Sequence, residues 1–143
     1  LEELTEDCDN VLLAGHVGRA EISVLMERCS VALAPYRSTW DFMASIPTKA
    51  IEYLAGGVPI LSSLKGELEN LLSQNNCGIT YANEDPKTFV EQLLWLYDHP
   101  GKRAEMSRNA KRLFDREFAA EKVYQNMADH LQSIVSAYRR RAI

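Results

Sequence analysis

Four short apolar runs constrain this sequence more than any other feature, because each is closed by a turn residue or a polar loop and each is followed by a stretch of helical periodicity. Val11–Ala14 is closed by Gly15, Val31–Ala34 by Pro35, Val58–Leu61 by Ser62 and Ser63, and Gly78–Tyr81 by a polar turn. Runs of this length are too short for helices and read as buried strands. Strands that are apolar almost throughout, alternating with helices, belong to a parallel sheet covered on both faces. Strands are therefore expected at about 11–14, 31–34, 58–62 and 78–81.

The intervening stretches carry the helical signal. Ile22, Leu25, Met26 and Cys29 recur at helical spacing within Ala20–Cys29. Pro47 opens the next helix, where a missing N–H costs nothing. Ala50, Ile51, Leu54 and Ala55 form its buried stripe, and Gly56-Gly57 ends it. Glu67–Ser73 is a short helix. Beyond Tyr81 only helices are expected. One starts at Asp85-Pro86, carries Phe89, Val90, Leu93, Leu94 and Tyr97, and breaks at His99-Pro100-Gly101. The second runs from about Lys102 to Phe114. The third runs from about Ala119 to Arg139, with Val123, Tyr124, Met127, Leu131, Ile134, Val135 and Tyr138 as an amphipathic stripe. That stripe and Trp95 read as packing surface. His99 and His130 read as surface residues, Arg139-Arg140-Arg141 as a solvated end, and Trp40 as a loop anchor. The expected fold class is α/β, a Rossmann-like parallel sheet with helices on both faces, followed by C-terminal helices. Residues 1–116 form the sheet domain and 117–143 the C-terminal amphipathic helix.

Composition removes several functional classes. The apolar fraction of 46% and charged fraction of 25% are ordinary for a globular domain with a real core. No apolar run approaches the roughly 20 residues of a membrane span. A net charge of −4 argues against nucleic acid as the main partner. Cys8, Cys29 and Cys77 are far apart, odd in number and without a CxxC pair, so reduced thiols are expected and a zinc site is not. Charge is uneven: 6 Lys and Arg against 15 Asp and Glu over residues 1–100, then 10 against 5 over residues 101–143. Such a basic C-terminal region reads as solvated helix faces, or as a surface for peripheral contact with an anionic membrane. Residues 1–10 are acidic and polar, unlike a secretory leader. LEELTEDCDN reads as a helix end and turn, an unusual opening for a domain, so a piece of a longer cytoplasmic protein is expected.

Ligands of open α/β sheets bind at the carboxyl ends of the strands. Three loops leave such ends, at Gly15-His16-Val17, at Pro35-Tyr36 and at Leu61-Ser62-Ser63-Leu64. The second is the longest and feeds a helix beginning Ser45, Ile46, Pro47, Thr48, Lys49. Free N–H groups and the positive dipole end make a helix N-terminus an anion site. Lys49 adds a full charge, and Glu52 lies on the same face three residues on. Phosphate at the helix end and ribose hydroxyls on Glu52 would make a coherent nucleotide site. A plain i,i+3 surface pair is the competing reading.

The stretch SIPTKAIEYLAGGVPIL resembles the signature of family-4 glycosyltransferases of the GT-B fold, in the form found in a bacterial subgroup that builds surface polysaccharides. Glu52 matches the second Glu of the family's Glu–x7–Glu pair, and Ala55, Gly57, Pro59 and Ile60 match the remainder of the signature. NVLLAGHV, RCSVALAPY, NNCGITY and FDREFAAEKV resemble the family's flanking elements, so the resemblance covers nearly the whole chain. It implies the C-terminal, donor-binding part of a retaining glycosyltransferase. Such an enzyme moves a sugar from a nucleotide-diphosphate sugar to a glycan or lipid-linked acceptor without metal or other cofactor. It implies a nucleotide-sugar site at Gly15, His16, Val17, Tyr36, Ser45, Ile46, Thr48, Lys49 and Glu52, with no catalytic residue assigned. It also implies that the last helix returns toward a separate acceptor-binding domain, without which this chain is inactive. Two departures stand out. Ala44 occupies the place of the first Glu, with Asp41 or Ser45 as substitutes, and the family's earlier basic pair is not in this sequence. The alternatives are a non-catalytic nucleotide- or partner-binding module and a UDP-sugar epimerase. The latter needs a pair of acid/base residues that the sequence does not offer.

Overall fold

The computed structural model describes residues 2–5 and 7–141. In chain order it contains α1 (Glu2–Thr5), α2 (Arg19–Arg28), β1 (Ala32–Ala34), α3 (Trp40–Met43), α4 (Thr48–Ala55), β2 (Ile60–Ser62), α5 (Glu67–Asn75), β3 (Gly78–Thr80), α6 (Pro86–Asp98), α7 (Pro100–Leu113), a π-helical turn (Phe114–Phe118) and α8 (Ala120–Arg141). The sheet is parallel, in the order β1-β2-β3. Ala32 pairs with Ile60 and Ala34 with Ser62, and Ile60 in turn pairs with Gly78. The α/β class with helices on both faces is thus observed.

Two apolar cores lie on the two faces. One gathers Ala34, Ala50, Leu54, Ile60, Leu64, Leu68, Leu72, Ala110 and Leu113, so α4, α5 and the end of α7 cover that face. The other joins Leu61 to Leu96 and Met106, with Val31, Ile79, Tyr81 and Phe89 packed around them. Successive strand residues point to opposite faces, which is why Ile60 and Leu61 are both fully buried but in different cores. Helix starts follow their local chemistry. The Asp85 carboxylate accepts from the Lys87 and Thr88 amides and Pro86 takes the first turn of α6. Asn76, left-handed at φ 45°, closes α5.

Several expectations need correction. Val11–Ala14 forms no strand. No strand among the described residues runs beside it, and an extended segment alone cannot satisfy its own backbone groups. Leu12 accordingly stands 85% exposed. The other three strands are each shorter than expected. Helix α2 forms, but none of its residues is buried. The break at 99–101 shrinks to His99, because Pro100 fits the first turn of α7. The apolar stripe of α8 is not core within this chain: Val123, Met127, Leu131 and Ile134 are exposed, and α8 packs against the π-helical turn. Trp40 is 84% exposed and anchors nothing. Trp95 stacks on His99 with ring centroids 4.6 Å apart. The α8 backbone runs through Arg141, while the side chains of Arg139, Arg140 and Arg141 lie outside the described residues. Among the described residues no helix is long and apolar enough to cross a membrane.

The three thiols differ in environment: Cys8 and Cys29 are exposed and Cys77 is buried. Burial pushes the Cys77 thiol up to about 11. Since the thiolate is the reacting form, an aromatic disulfide reagent at mildly alkaline pH is expected to modify Cys8 and Cys29 in the native protein and Cys77 only on unfolding. Three thiols reacting at one rate would contradict this packing.

Candidate functional site

The carboxyl ends of the three strands open into one recess. Pro35 and Tyr36 follow β1, Ser63 follows β2 and Tyr81 follows β3, and all four border a cavity of about 520 Å³. Arg37, Asn83 and Glu84 supply polar edges and Leu33 and Phe89 an apolar wall. Tyr81 meets Phe89 edge-on at 5.1 Å, and Tyr36 packs on Phe42 at 5.4 Å.

Helix α4, the crossover between the parallel strands β1 and β2, starts at the same carboxyl edge, although none of its residues lines this recess. Pro47 occupies the capping position and no side chain caps the helix. The proline ring cannot accept, so the Thr48 and Lys49 amides meet no side-chain cap, while the Ala50 amide donates to the Pro47 carbonyl at 2.9 Å. Lys49 and Glu52 are both exposed and form no ion pair with each other among the described residues. Glu52 sits one turn beyond Thr48, roughly 6 Å along the axis. It borders a second recess between α2 and α4 with Ser23, Met26, Glu27 and Gly56, separate from the one at Tyr36. Tyr53 lies between them. Its hydroxyl points to the Leu33 carbonyl at 3.5 Å, and burial pushes its phenol up, with Tyr36 and Glu52 adding to the effect.

The loop between β1 and α4 is held from both sides. Tyr36, Met43 and Ile46 pack on the main core. Ser45 turns inward on its own segment, donating to the Phe42 carbonyl at 3.3 Å. The Thr39 hydroxyl beside Asp41, with the Asp41 and Phe42 amides, holds the Asp41 carboxyl below its usual range. Ala44 follows directly at the end of α3. Gly15, left-handed at φ 65°, turns the loop that carries His16, and Val17 is half-buried.

The sequence marks the loop after β2 as a strand end but points to no residue within it. The Ser63 hydroxyl donates to the Tyr36 carbonyl at 2.8 Å, and the Ser38 hydroxyl to the Ser63 carbonyl at 3.4 Å. Lys65 Nζ lies 2.5 Å from Glu69 Oε1, which also accepts from Thr80 at 3.1 Å. The available signal is Gly66, a glycine where serine, threonine or aspartate would ordinarily cap a helix. Among the described residues no three His, Cys, Asp or Glu side chains gather as a metal-ion site.

The family described as glycosyl transferases group 1 matches residues 2–113. None of the curated proteins compared with the chain matches it. Among solved structures, the sucrose-phosphate synthase from Thermosynechococcus elongatus superposes with a TM-score of 0.78 at 18% identity. The match covers 95% of this chain and 34% of that one, so the chain spans about a third of that structure's length. At this identity the likeness concerns the fold, a fragment of GT-B type.

Lys65, the main cause, and Thr80 hold the Glu69 carboxyl below its ordinary 4.5. A carboxyl lowered by folding adds stability that is complete above its unfolded value and is lost as pH falls through its folded one. The difference in urea midpoint between the wild type and Glu69→Gln should therefore be constant at neutral pH and shrink on acidification below about 4.5. A difference independent of pH would contradict the pairing.

Proposed function

The chain belongs to the group 1 glycosyl transferases, and we propose that it is the donor-binding part of a larger, two-domain retaining enzyme. In that reading the enzyme moves a sugar from a nucleotide-diphosphate sugar to a glycan or lipid-linked acceptor. The observation that carries the proposal is the uncapped start of α4 beside the open carboxyl ends of β1, β2 and β3. The diphosphate meets the turn from Ser45 to Thr48 through the Ile46 and Thr48 amides, since Pro47 has no N–H and the Ser45 amide already donates to the Phe42 carbonyl, and Ile46 packs on the core side of that turn. Lys49 adds positive charge, and Glu52 takes the ribose hydroxyls. Gly15, His16, Val17 and Tyr36 flank the base. Catalysis rests on positioning and on stabilising the leaving diphosphate, with neither a metal nor another cofactor.

The acceptor is held by a separate N-terminal domain, toward which the exposed stripe of α8 returns. The basic C-terminal region gives the enzyme peripheral contact with the cytoplasmic face of a membrane, where lipid-linked acceptors reside. Nucleic acid is not a partner. A second reading, a non-catalytic nucleotide- or partner-binding module, is favoured by one observation. Ala44, at the end of α3, brings no carboxylate to the site, and neighbouring Asp41 is the nearest one in sequence.

Release of nucleoside diphosphate by the full-length protein, with and without acceptor extract, separates the two readings. Transfer requires acceptor-dependent release, whereas a binding module gives none. Within the transferase reading, Glu52→Gln keeps size and removes charge. The loss of about 1.5–3 kcal/mol from a charged hydrogen bond makes donor use roughly tenfold to a hundredfold weaker. Lys49→Ala weakens donor use most at low salt, because an exposed charge is screened at high salt. Donor use unchanged by Glu52→Gln would remove Glu52 from the site.

A further inference from the structure

Gly66 sits where two features coincide. Its backbone is left-handed, at φ 82° and ψ −132°, immediately before α5. A side chain there would also meet the loop that leads into α4. An added Cβ would run into the Met43 carbonyl oxygen, and would come within 3.0 Å of the Met43 carbonyl carbon and 3.2 Å of its Cα. These are backbone atoms, so no rotamer change relieves the clash. Gly57 provides the contrast. It is left-handed too, at φ 66°, but a Cβ there would lie at an ordinary 3.5 Å from its nearest neighbour, the Ser107 carbonyl oxygen.

Met43 ends α3, and four residues later the chain enters Pro47 and the uncapped start of α4. The other end of the same loop is tied by Ser63, which donates to the Tyr36 carbonyl at 2.8 Å and accepts from Ser38. Four consecutive residues, 63–66, therefore grip the loop at both ends. Between the grips stand the exposed Trp40 and Asp41. Gly66 does not serve as a polar cap, having no side chain to accept a helix amide.

We propose that Gly66 is a positioning residue: its missing side chain lets the turn into α5 seat against the Met43 backbone, which fixes the 36–47 loop and the phosphate-facing amides of α4. This rests on the donor-site reading above. An anion site made of backbone amides depends on placement, and a displacement of about 1 Å can weaken function by up to about a hundredfold.

The test compares Gly66→Ala with Gly57→Ala in the full-length protein. Both introduce a side chain at positive φ, and only the first meets the loop. Amide hydrogen exchange without ligand is expected to rise about tenfold or more over residues 40–48 in Gly66→Ala beyond that in Gly57→Ala, with exchange in β2 and β3 matched between the two. Affinity for UDP or GDP, whichever the wild type binds, is expected to fall about tenfold in Gly66→Ala and to stay within about twofold in Gly57→Ala. Should Gly66→Ala not fold, Ser63→Ala removes the hydroxyl's bond to the Tyr36 carbonyl without strain, leaving the Ser63 carbonyl that accepts from Ser38, and faster exchange over 36–39 with weaker nucleotide binding is the expected result. Exchange over 40–48 no faster than in Gly57→Ala, or over 36–39 unchanged in Ser63→Ala, overturns the proposal. Faster exchange with undiminished nucleotide affinity also overturns it and leaves the donor-site reading standing. A wild-type protein that binds neither nucleotide overturns that reading and the positioning role with it, even where exchange shows that the grip is real.

Discussion

Burial of β2 on both faces is the constraint on which the rest of the structure depends. Ile60 and Leu61 are each fully buried, one in each core. A strand buried this way brings its polar groups with it, and an unmatched hydroxyl there would cost on the order of 1–3 kcal/mol. Ser62 avoids that cost, because its hydroxyl donates to the Ala34 carbonyl at 2.9 Å and accepts from the Leu64 amide at 3.0 Å. The end of the central strand is thereby tied to the end of β1 and to the turn beyond it. The contacts that complete the core are also the ones that shape the loops at the carboxyl edge.

From that edge the geometry of the proposed binding surface emerges. Helices α4 and α5 both begin there and both lack a side-chain cap. Residues 62–66 join the fixed sheet to the long loop that precedes α4, so packing in the core also holds backbone groups in place near Lys49. On the opposite flank the surface is unfinished. Ala32 and Ala34 use their backbone groups toward β2, which turns those of Leu33 to the outer edge, where the Tyr53 hydroxyl approaches. Val31, Leu93, Leu94 and Tyr97 border a further cavity of about 510 Å³, and α8 presents its whole apolar stripe. Exposed apolar surface of this extent marks interaction.

Much of this was legible in the sequence, for reasons specific to each segment. Val31–Ala34, Val58–Leu61 and Gly78–Tyr81 announced a parallel sheet because strands covered on both faces carry few polar residues. Val11–Ala14 carried the same signal and forms no strand, because pairing depends on a neighbour that local composition does not report. The stripes of α2 and α8 were likewise periodic enough to fix helices but not to say what would cover them. At the candidate site, the helix start at Pro47 with Lys49 in its first turn was readable from helix-start chemistry, whereas the placing of Glu52 on the recess beside α2 was not. The grip of Ser63 and Gly66 was not. It depends on two loops 20 or more residues apart in sequence meeting hydroxyl to carbonyl at Ser63 and backbone to backbone at Gly66, and a glycine's role in such a contact leaves no trace in periodicity.

The central claim is that the carboxyl edge of this sheet, with the start of α4, holds a nucleotide-diphosphate sugar. It is tested most directly by photo-crosslinking a base-modified, photoreactive nucleotide-diphosphate sugar to the full-length protein and mapping the labelled peptides. Adducts in the 15–17 and 35–52 segments, suppressed by unmodified nucleotide, are the predicted result. Suppressible labelling confined to α6, α7 or α8, with those segments unlabelled, would contradict it.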